Sequence, residues 1–202
     1  MKTIGVLISG RGSNLQALID ASRRGELGGG TIGVVFSNVE DAAGLERARR
    51  AGIPVAFRDH RGRSREAFDA EVVGILHAHG VELVCLAGYM RLLSPAFVRA
   101  LSGRILNVHP ALLPAFPGLH AQAQALEHGV KVSGATVHLV TEDLDLGPIV
   151  AQEAVAVLEG DTLETLAARI LEAEHRIYPR AVRAMLEGRL SVTGRRVLVE
   201  EA

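Results

Sequence analysis

Two polar side chains stand at the end of an apolar run, in the stretch RILNVHP. The run predicts a buried strand, in which residues i and i+2 point to the same side, so Asn107 and His109 project together. Pro110 follows and favours an extended backbone at His109. An amide donor beside an imidazole can stabilise an oxyanion and move a proton. A polar strand end that faces solvent is the alternative at this point.

A carboxylate-rich segment, TEDLDLGP, lies further along the chain and carries Glu142, Asp143 and Asp145. A carboxylate close to His109 would favour the imidazolium form and raise the pKa of the ring. The segment also fits a solvated acidic turn. The sequence leaves both interpretations open.

The stretch ISGRGSNLQ places Gly10 and Gly12 between a predicted strand and a predicted helix. Amide groups at a helix start, together with the helix dipole, bind anions. Because position 15 is Leu15 and no Gly-Lys-Ser/Thr follows, the stretch is neither a dinucleotide fingerprint nor a nucleotide P-loop. Ser13 and Asn14 suit a single phosphate monoester instead. A tight turn with Ser13 as the N-cap is the alternative.

The other histidines and the cysteine predict no metal site. His77 and His79 lie two apart in a predicted helix and do not share a face, and no H-E-x-x-H spacing occurs. His138 in a strand and His175 in a helix are each compatible with a core position. Cys85, the only cysteine, is interpreted as an inert core thiol.

Composition disfavours several classes of partner. The 202 residues carry a formal net charge of −1, which gives no field for holding nucleic acid or anionic lipid. No run of about 18 apolar residues predicts a membrane helix. The first residues are typical of a strand and not of a signal peptide, so we expect a cytoplasmic protein.

The order of the predicted elements indicates how these residues are positioned. Strands alternate with one-sided helices first, and two strands joined without a helix come later. The strands are predicted at 3–9, 31–37, 54–58, 81–88, 104–109, 133–140 and 149–157, the helices at 14–24, 42–51, 64–79, 95–100, 119–127 and 162–187, and a hairpin at 189–200. This order of strands and helices predicts an α/β fold with a Rossmann-like open mixed sheet. The sheet is expected to be mostly parallel, with antiparallel additions in the C-terminal half and helices on both faces.

Several motifs together resemble the phosphoribosylglycinamide formyltransferases, a folate-dependent family of purine biosynthesis. They are LISGRGSNLQAL, VFSN, LAGYMRLLSP, ILNVHPALLPAFPG, DLDLGPI and, in the last helix, EAEHRIYP. The similarity runs almost end to end. The combination N-x-H-P-x-L-L-P with D-x-G-P resembles the motifs of the transferases and hydrolases that use formyltetrahydrofolate. The loop G-R-G-S-N resembles, more narrowly, that of the glycinamide ribonucleotide branch.

The resemblance implies a role for each residue that matches a motif. Asn107, His109 and Asp145 match the catalytic trio. The site of the ribonucleotide substrate matches Gly12, Ser13, Asn14 and Glu174. The folate pocket matches Arg65, Met90, Arg91, Leu92, Leu93, Asn107, Thr141, Glu142, Asp143, Leu144 and Asp145. Departures from frequent family residues occur at Ala111, Ala115, Ala121, Gln122 and Leu146, and none of them removes a catalytic group.

The resemblance also implies a reaction. A formyl group would pass from the co-substrate 10-formyltetrahydrofolate to the amine of glycinamide ribonucleotide (GAR), without a metal. We expect one domain over residues 1–202, with a phosphate-binding half at 1–103 and a catalytic and folate-binding half at 104–202. We expect a monomer or homodimer with no nucleic acid or membrane partner. A formyltetrahydrofolate hydrolase and a non-catalytic folate-binding module are the alternatives.

Overall fold

The computed structural model describes residues 2–200. The strands in that range are β1 (Thr3–Ile8), β2 (Thr31–Ser37), β3 (Val55–Phe57), β4 (Leu83–Leu86), β5 (Ile105–His109), β6 (Val132–Leu139), β7 (Ile149–Ala156), β8 (Leu190–Thr193) and β9 (Arg196–Val199). The helices are α1 (Ser13–Arg23), α2 (Ala43–Arg50), α3 (Arg65–Ala78), α4 (Pro95–Ala100), α5 (Ala121–Glu127) and α6 (Leu163–Leu186). None of these helices is long and apolar enough to cross a lipid bilayer.

Seven strands form one sheet in the order β3-β2-β1-β4-β5-β6-β7, and β8 and β9 form a separate hairpin. The pairs among β1 to β5 are parallel, whereas β5 with β6 and β6 with β7 are antiparallel. The prediction of a Rossmann-like mixed sheet is confirmed. The strand order reverses at β1, which lies between β2 and β4, and ligands of open α/β sheets bind at the carboxyl ends of strands near such a point.

Alternate residues of β1 point into two separate cores on opposite faces of the sheet. Ile4, Val6 and Ile8 belong to the core that also contains side chains of α1, α2 and α6. Leu7 belongs to the core that contains side chains of α3 and α4. Helices therefore cover both faces, as the continuous apolar strands predict.

The longest helix, α6, begins at a capping box and then crosses behind the central strands. Thr162 Oγ1 accepts a hydrogen bond from Thr165 N at 3.3 Å, and Thr165 Oγ1 accepts one from Thr162 N at 2.9 Å. Further along, Tyr178 OH lies 2.9 Å from Leu86 O and 3.1 Å from Leu106 O. This buried hydroxyl ties α6 to the neighbouring strands β4 and β5.

The connection from β6 to β7 passes very close to β6 at Gly147. A Cβ added at Gly147 would lie 1.7 Å from Leu139 O. Leu139 N donates to Pro148 O at 2.9 Å, so the two backbones are bonded together at this place. Only glycine fits there without a shift of the connecting loop.

We expect Gly147→Ala to lower the free energy of unfolding by about 2 kcal/mol or more, because the added methyl forces the backbone apart. Gly74→Ala is the matched control, since a Cβ at this exposed helix position meets nothing within 4 Å. That change should raise the free energy of unfolding by about 0.5–1 kcal/mol. Urea unfolding of both variants measures the difference, and equal stabilities would contradict the packing argument.

Candidate active site

Asn107 and His109 lie on β5, and β6 runs antiparallel beside them. The register places Asn107 opposite His138 and His109 opposite Thr136. Residues i and i+2 of a strand, and residues directly opposite on the next strand, share one face of the sheet. The two strands therefore bring the predicted amide and imidazole to the same side as a second imidazole.

Asp145 completes this cluster from the loop between β6 and β7. Its Oδ2 lies 3.6 Å from His109 Nδ1, and its Oδ1 lies 3.6 Å from His138 Nε2. Gly118 N donates to Oδ2 at 2.8 Å. The three titratable side chains are at most 7% exposed. The acidic loop thus delivers one buried carboxylate to His109, and the interpretation of the whole segment as a solvated turn is wrong.

The other two carboxylates of this loop stay outside the cluster. Glu142 is exposed and pairs with Arg99 at 3.0 Å. Asp143 is also exposed, and its carbonyl accepts a hydrogen bond from Thr141 Oγ1 at 3.3 Å. Asp145 is therefore the acidic side chain of the loop that can act on His109.

His138 belongs to the cluster, although its sequence context indicated only a core position. Its Nδ1 donates to Leu139 O at 3.0 Å, because a carbonyl can only accept. With the hydrogen on Nδ1, Nε2 is the acceptor, and Asn107 Nδ2 lies 3.1 Å from it. This contact orients the amide. The only signal that could reveal it is the β5–β6 register, which is not readable from either strand alone.

Burial, charge and hydrogen bonding act on His109 in different directions. Burial is the largest effect and lowers the pKa of His109, while the Phe116 carbonyl, 2.8 Å from Nε2, and then Asp145 raise it, and His138 lowers it. The net result is a pKa below the ordinary value of 6.5. The expectation that Asp145 lifts the pKa of His109 above that value is wrong, because burial outweighs the carboxylate.

Asp145 experiences the same competition with the opposite outcome. Burial raises the pKa of Asp145, but the contact with His138, the hydrogen bond from Gly118 N and the charge of His109 together outweigh it. The pKa of Asp145 lies below its ordinary value of 3.8. The carboxyl is therefore ionised at neutral pH.

The N-terminus of α1 presents amide groups that the helix does not use. Gln16 N makes the first helical bond, to Gly12 O at 2.9 Å, which leaves the amides of residues 13–15. Within residues 2–200 no side chain caps this end. The alternative of Ser13 as N-cap is wrong, because Gly12 holds that position with φ of 71°. Such an end suits an anion.

Gly12 has a packing role as well. A Cβ there would lie 2.6 Å from Gly44 Cα at the start of α2, and Gly44 N donates to Gly10 O at 3.0 Å. The two glycines let the loop and α2 approach closely. A larger residue at Gly12 would disturb this contact, so it would test folding before it tested anion binding.

Asn14 and Glu174 meet where α1 packs on α6. Asn14 Nδ2 donates to Glu174 Oε2 at 2.5 Å, and the two residues are 8% and 6% exposed. Burial raises the pKa of Glu174 to about 7, and the hydrogen bond from Asn14 opposes the rise. Asn14 Oδ1 is buried and has no hydrogen-bond partner in the described chain, so an acceptor remains for a bound hydroxyl or amine.

The segment Met90–Leu93 connects β4 to α4 and exposes apolar surface. Met90 and Leu92 are 66% and 56% exposed, and Leu144, in the loop that carries Asp145, is 54% exposed. Met90, Leu92 and Leu144 thus leave apolar surface exposed in the two loops that the family resemblance assigns to folate.

Two arginines were also expected at the folate pocket. The Arg91 guanidinium lies 4.6 Å from the centroid of the Phe68 ring, which fixes it by a cation–π contact. Arg65, the first residue of α3, is exposed and pairs with Glu66 at 3.6 Å. Arg91 is therefore held in place by packing, whereas Arg65 projects from a helix end.

The positions that depart from the family differ in their surroundings. Ala111 and Ala121 are buried, Gln122 is half-buried, Ala115 is exposed and Leu146 is 44% exposed. None of them contributes a polar side chain to the cluster of Asn107, His109, His138 and Asp145. The polar cluster is thus formed without them.

No group of three or more His, Cys, Asp and Glu side chains within residues 2–200 is arranged to hold a metal ion. A pocket of about 450 Å³ opens elsewhere, beyond β2 and β3, and is lined by Asn38, Val39, Glu40, Asp41, Phe57, Asp59, His60 and Arg61. None of the residues expected at the site lines that pocket.

We expect Asp145→Asn to lower the pKa of His109 further, because Asp145 is one of the groups that raise it. The amide keeps the size of the side chain but loses the charge. Titration of the His109 ring by NMR measures the shift, and Asp143→Asn, in the same loop but exposed, is the control. A His109 pKa that is equal in both variants would remove Asp145 from its electrostatic role.

Glu174 predicts a pH-dependent stability. Its pKa is about 7 in the folded protein against an ordinary 4.5, so the folded state binds more protons between these values. Proton binding to Glu174 therefore stabilises the folded state fully below about pH 4.5, and this contribution to the free energy of unfolding is lost as pH rises through about 7. Glu174→Gln keeps an acceptor for Asn14 and does not ionise. The difference in free energy of unfolding between Glu174→Gln and the unaltered protein should therefore grow by about 2 kcal/mol from about pH 5 to about pH 8, in favour of the variant.

Urea unfolding at both pH values measures that gain. Glu172→Gln, two residues earlier on the exposed side of α6, is the control and should change little with pH. A stability difference between Glu174→Gln and the unaltered protein that is the same at both pH values would contradict the assignment of a raised pKa.

Comparison with known proteins shows the family to which this chain belongs. The family model described as formyl transferase matches residues 2–182. The phosphoribosylglycinamide formyltransferase of Escherichia coli (strain K12) is 48% identical over 190 residues, which cover 94% of this chain and 89% of that protein. A crystal structure of glycinamide ribonucleotide transformylase 1 from Symbiobacterium toebii superposes with a TM-score of 0.97 at 58% identity, over 100% of this chain and 95% of that one.

Two further comparisons mark the limits of this likeness. The trifunctional purine biosynthetic protein adenosine-3 of Drosophila pseudoobscura pseudoobscura is 52% identical over 191 residues, and this chain spans only 14% of its length. A formyltetrahydrofolate deformylase from Pseudomonas syringae has a TM-score of 0.92 at 31% identity, over 99% of this chain and 66% of that one. The fold therefore serves more than one activity. By family model and by identity over nearly the whole chain, this protein belongs to the formyl transferase family, among its phosphoribosylglycinamide formyltransferases.

Proposed function

We propose that the protein transfers the formyl group of 10-formyltetrahydrofolate to the amine of GAR, giving formyl-GAR and tetrahydrofolate in purine biosynthesis. The observation that carries the proposal is that the buried His109 and Asp145 side chains lie beside the half-buried Asn107 at the carboxyl end of β5. Family membership supports the same reaction. The residues assigned below are part of the proposal.

The reaction needs a donor for one oxygen and a path for one proton. The neutral amine of GAR attacks the formyl carbon, the bond from that carbon to the folate nitrogen breaks, and one proton passes from the amine to that nitrogen. Negative charge develops on the formyl oxygen, which takes hydrogen bonds from the second amide hydrogen of Asn107 and from the Nε2 hydrogen of protonated His109, the one that faces Phe116 O in the structure. A donor of this kind stabilises a transition state by roughly 3–4 kcal/mol.

Asp145 supports the charged form of His109 during this step. It is ionised, buried and 3.6 Å from Nδ1, so it stabilises positive charge on the ring. His138 accepts from Asn107 Nδ2 at 3.1 Å and keeps the amide oriented. Through water, Asp145 also relays the proton towards the departing folate nitrogen. No metal takes part in this scheme.

The ribonucleotide occupies the half of the molecule around α1. The amides of residues 13 and 14 and the hydroxyl of Ser13 receive its phosphate, and Gly12 allows the backbone to come close. Asn14 and Glu174 contact the rest of the same substrate through their buried pair. Residues 1–103 thus form the phosphate-binding half, to which α6 adds Glu174.

The folate occupies the other side of the cluster. The segment Met90–Leu93 and the loop Thr141–Asp145 cover its rings with the exposed apolar side chains described above, and Asn107 reaches its formyl group. Arg65 offers positive charge to the carboxylates of the folate tail. Residues 104–202 form the catalytic and folate-binding half of one domain. We further propose a cytoplasmic monomer or homodimer that uses neither nucleic acid nor a membrane.

A hydrolase that deformylates the same folate is the second candidate, because the fold is shared with a deformylase. Water would replace the amine as nucleophile, and the same donors would serve. The uncapped N-terminus of α1 and the pair Asn14–Glu174 favour the transferase, since a hydrolase has no phosphorylated second substrate to hold. A binding module without catalysis has no use for a buried, ionised Asp145 beside His109.

The test follows the absorbance change of the folate when 10-formyltetrahydrofolate is mixed with protein, with and without GAR. Turnover that needs GAR supports the transferase, turnover without GAR indicates the hydrolase, and binding without turnover indicates a module. Asn107→Ala and His109→Ala should each lower kcat by about a hundredfold or more while the fold persists.

His77→Ala is the matched control, because His77 is exposed on α3 and far along the chain from the cluster. It should leave kcat unchanged. Near-normal kcat in Asn107→Ala or His109→Ala would exclude that residue from the role of oxyanion donor.

A further inference from the structure

The loop Gly88–Ser94 is held at both of its ends by polar side chains from other elements. It follows β4 and ends at α4, and its middle carries the exposed Met90 and Leu92. Met90 and Leu92 contribute little packing and do not fix the backbone, whereas Tyr89 and Leu93 beside them pack against the core that contains α3 and α4. The hydrogen bonds that hold this backbone come from the end of β1 and from α3.

Ser9 holds the first part of the loop. Ser9 N donates to Gly88 O at 3.1 Å, and Ser9 Oγ accepts from Met90 N at 2.8 Å. The hydroxyl proton is committed elsewhere, since Ser9 Oγ donates to Asn38 Oδ1 at 2.6 Å. Asn38 is 5% exposed, and its Nδ2 lies 3.3 Å from His60 Nδ1. Asn38 thus fixes the orientation of the Ser9 hydroxyl, so that a lone pair of Ser9 Oγ points to Met90 N.

Asp69 holds the last part of the loop. It lies on α3 and is 1% exposed, and its Oδ2 accepts from Ser94 N at 2.5 Å. Ser94 is fully buried and caps α4, accepting from Phe97 N at 3.2 Å. A buried carboxylate bonded to a backbone amide is a strong, charge-assisted anchor. The anchor therefore fixes the point at which the loop ends and the helix begins.

We propose that Ser9 and Asp69 are positioning residues for the folate loop, which preset the backbone of Met90–Leu93 to receive the co-substrate. This inference rests on the proposed function, because it assigns folate to that loop. Both residues act through the backbone amides of Met90 and Ser94. A preset loop binds without losing further conformational freedom, so loosening it weakens folate binding and leaves GAR binding unaffected.

The first measurement needs no catalysis. Ser9→Ala removes the acceptor of Met90 N, so hydrogen exchange at that amide should quicken by about tenfold, the scale of one lost hydrogen bond. Asp69→Asn weakens the bond to Ser94 N by removing its charge and should quicken exchange there. Ser191→Ala, at an exposed position of β8, is the control and should leave both amides unchanged.

The second measurement separates the two substrates. Ser9→Ala and Asp69→Asn should each raise the KM for 10-formyltetrahydrofolate by about tenfold while the KM for GAR stays unchanged. Calorimetric titration with tetrahydrofolate, which transfers no formyl group, should show the same weakening. If the unaltered protein shows no GAR-dependent turnover, the proposed function fails, and the calorimetry with the exchange rates still decides the positioning role. Unchanged exchange at Met90 and Ser94, unchanged folate affinity, or an equal rise of both KM values overturns it.

Discussion

The burial of one carboxylate constrains much of this site. Asp145 is ionised at a place where its side chain is only 7% exposed, and an unpaired charge in such surroundings costs several kcal/mol. The structure offsets this cost with His109, His138 and Gly118 N. Asp145 itself has φ of 54°, an uncommon conformation for a residue with a side chain, which persists only where contacts on all sides require it. The close passage of Gly147 past β6 lies two residues further along the same loop.

A second long-range tie runs through α6. The helix contributes Glu174 to the pair with Asn14 at the start of α1, and one turn later Tyr178 contacts the carbonyls of Leu86 and Leu106. The same rigid element therefore contacts the start of α1, where we propose that the phosphate binds, and the two strands that lead to the proposed folate loop and to Asn107. In a two-substrate reaction, a fixed distance between the two binding places determines whether the amine meets the formyl carbon.

The fold was predictable because its signals are local. Apolar runs and one-sided helices recur along the chain, and the i, i+2 rule places Asn107 and His109 on one face without knowledge of any neighbour. His138 was not predictable in this way, since its contact with Asn107 depends on how β5 and β6 align. The role of Gly12 was only half predictable for the same reason: the turn is local, but the approach of Gly44 is not. Long-range register and close packing are decided by the whole core and not by a single motif.

The correct identification of His109 and Asp145 as neighbours does not by itself determine the protonation state of His109. Both ring nitrogens face acceptors, the Phe116 carbonyl and Asp145, and each of them favours the charged ring. Burial opposes them and prevails, so the resting pKa of His109 is lowered. In the proposed reaction, a formyl oxygen that develops negative charge would replace the Phe116 carbonyl as the partner of Nε2, and it would do so only as the reaction proceeds. Under this proposal the ring would bind the transition state more strongly than the substrate, which is the condition for an interaction to raise kcat. Burial lowers the charge of the resting ring and, by excluding water, strengthens the hydrogen bond that the ring makes when the charge appears.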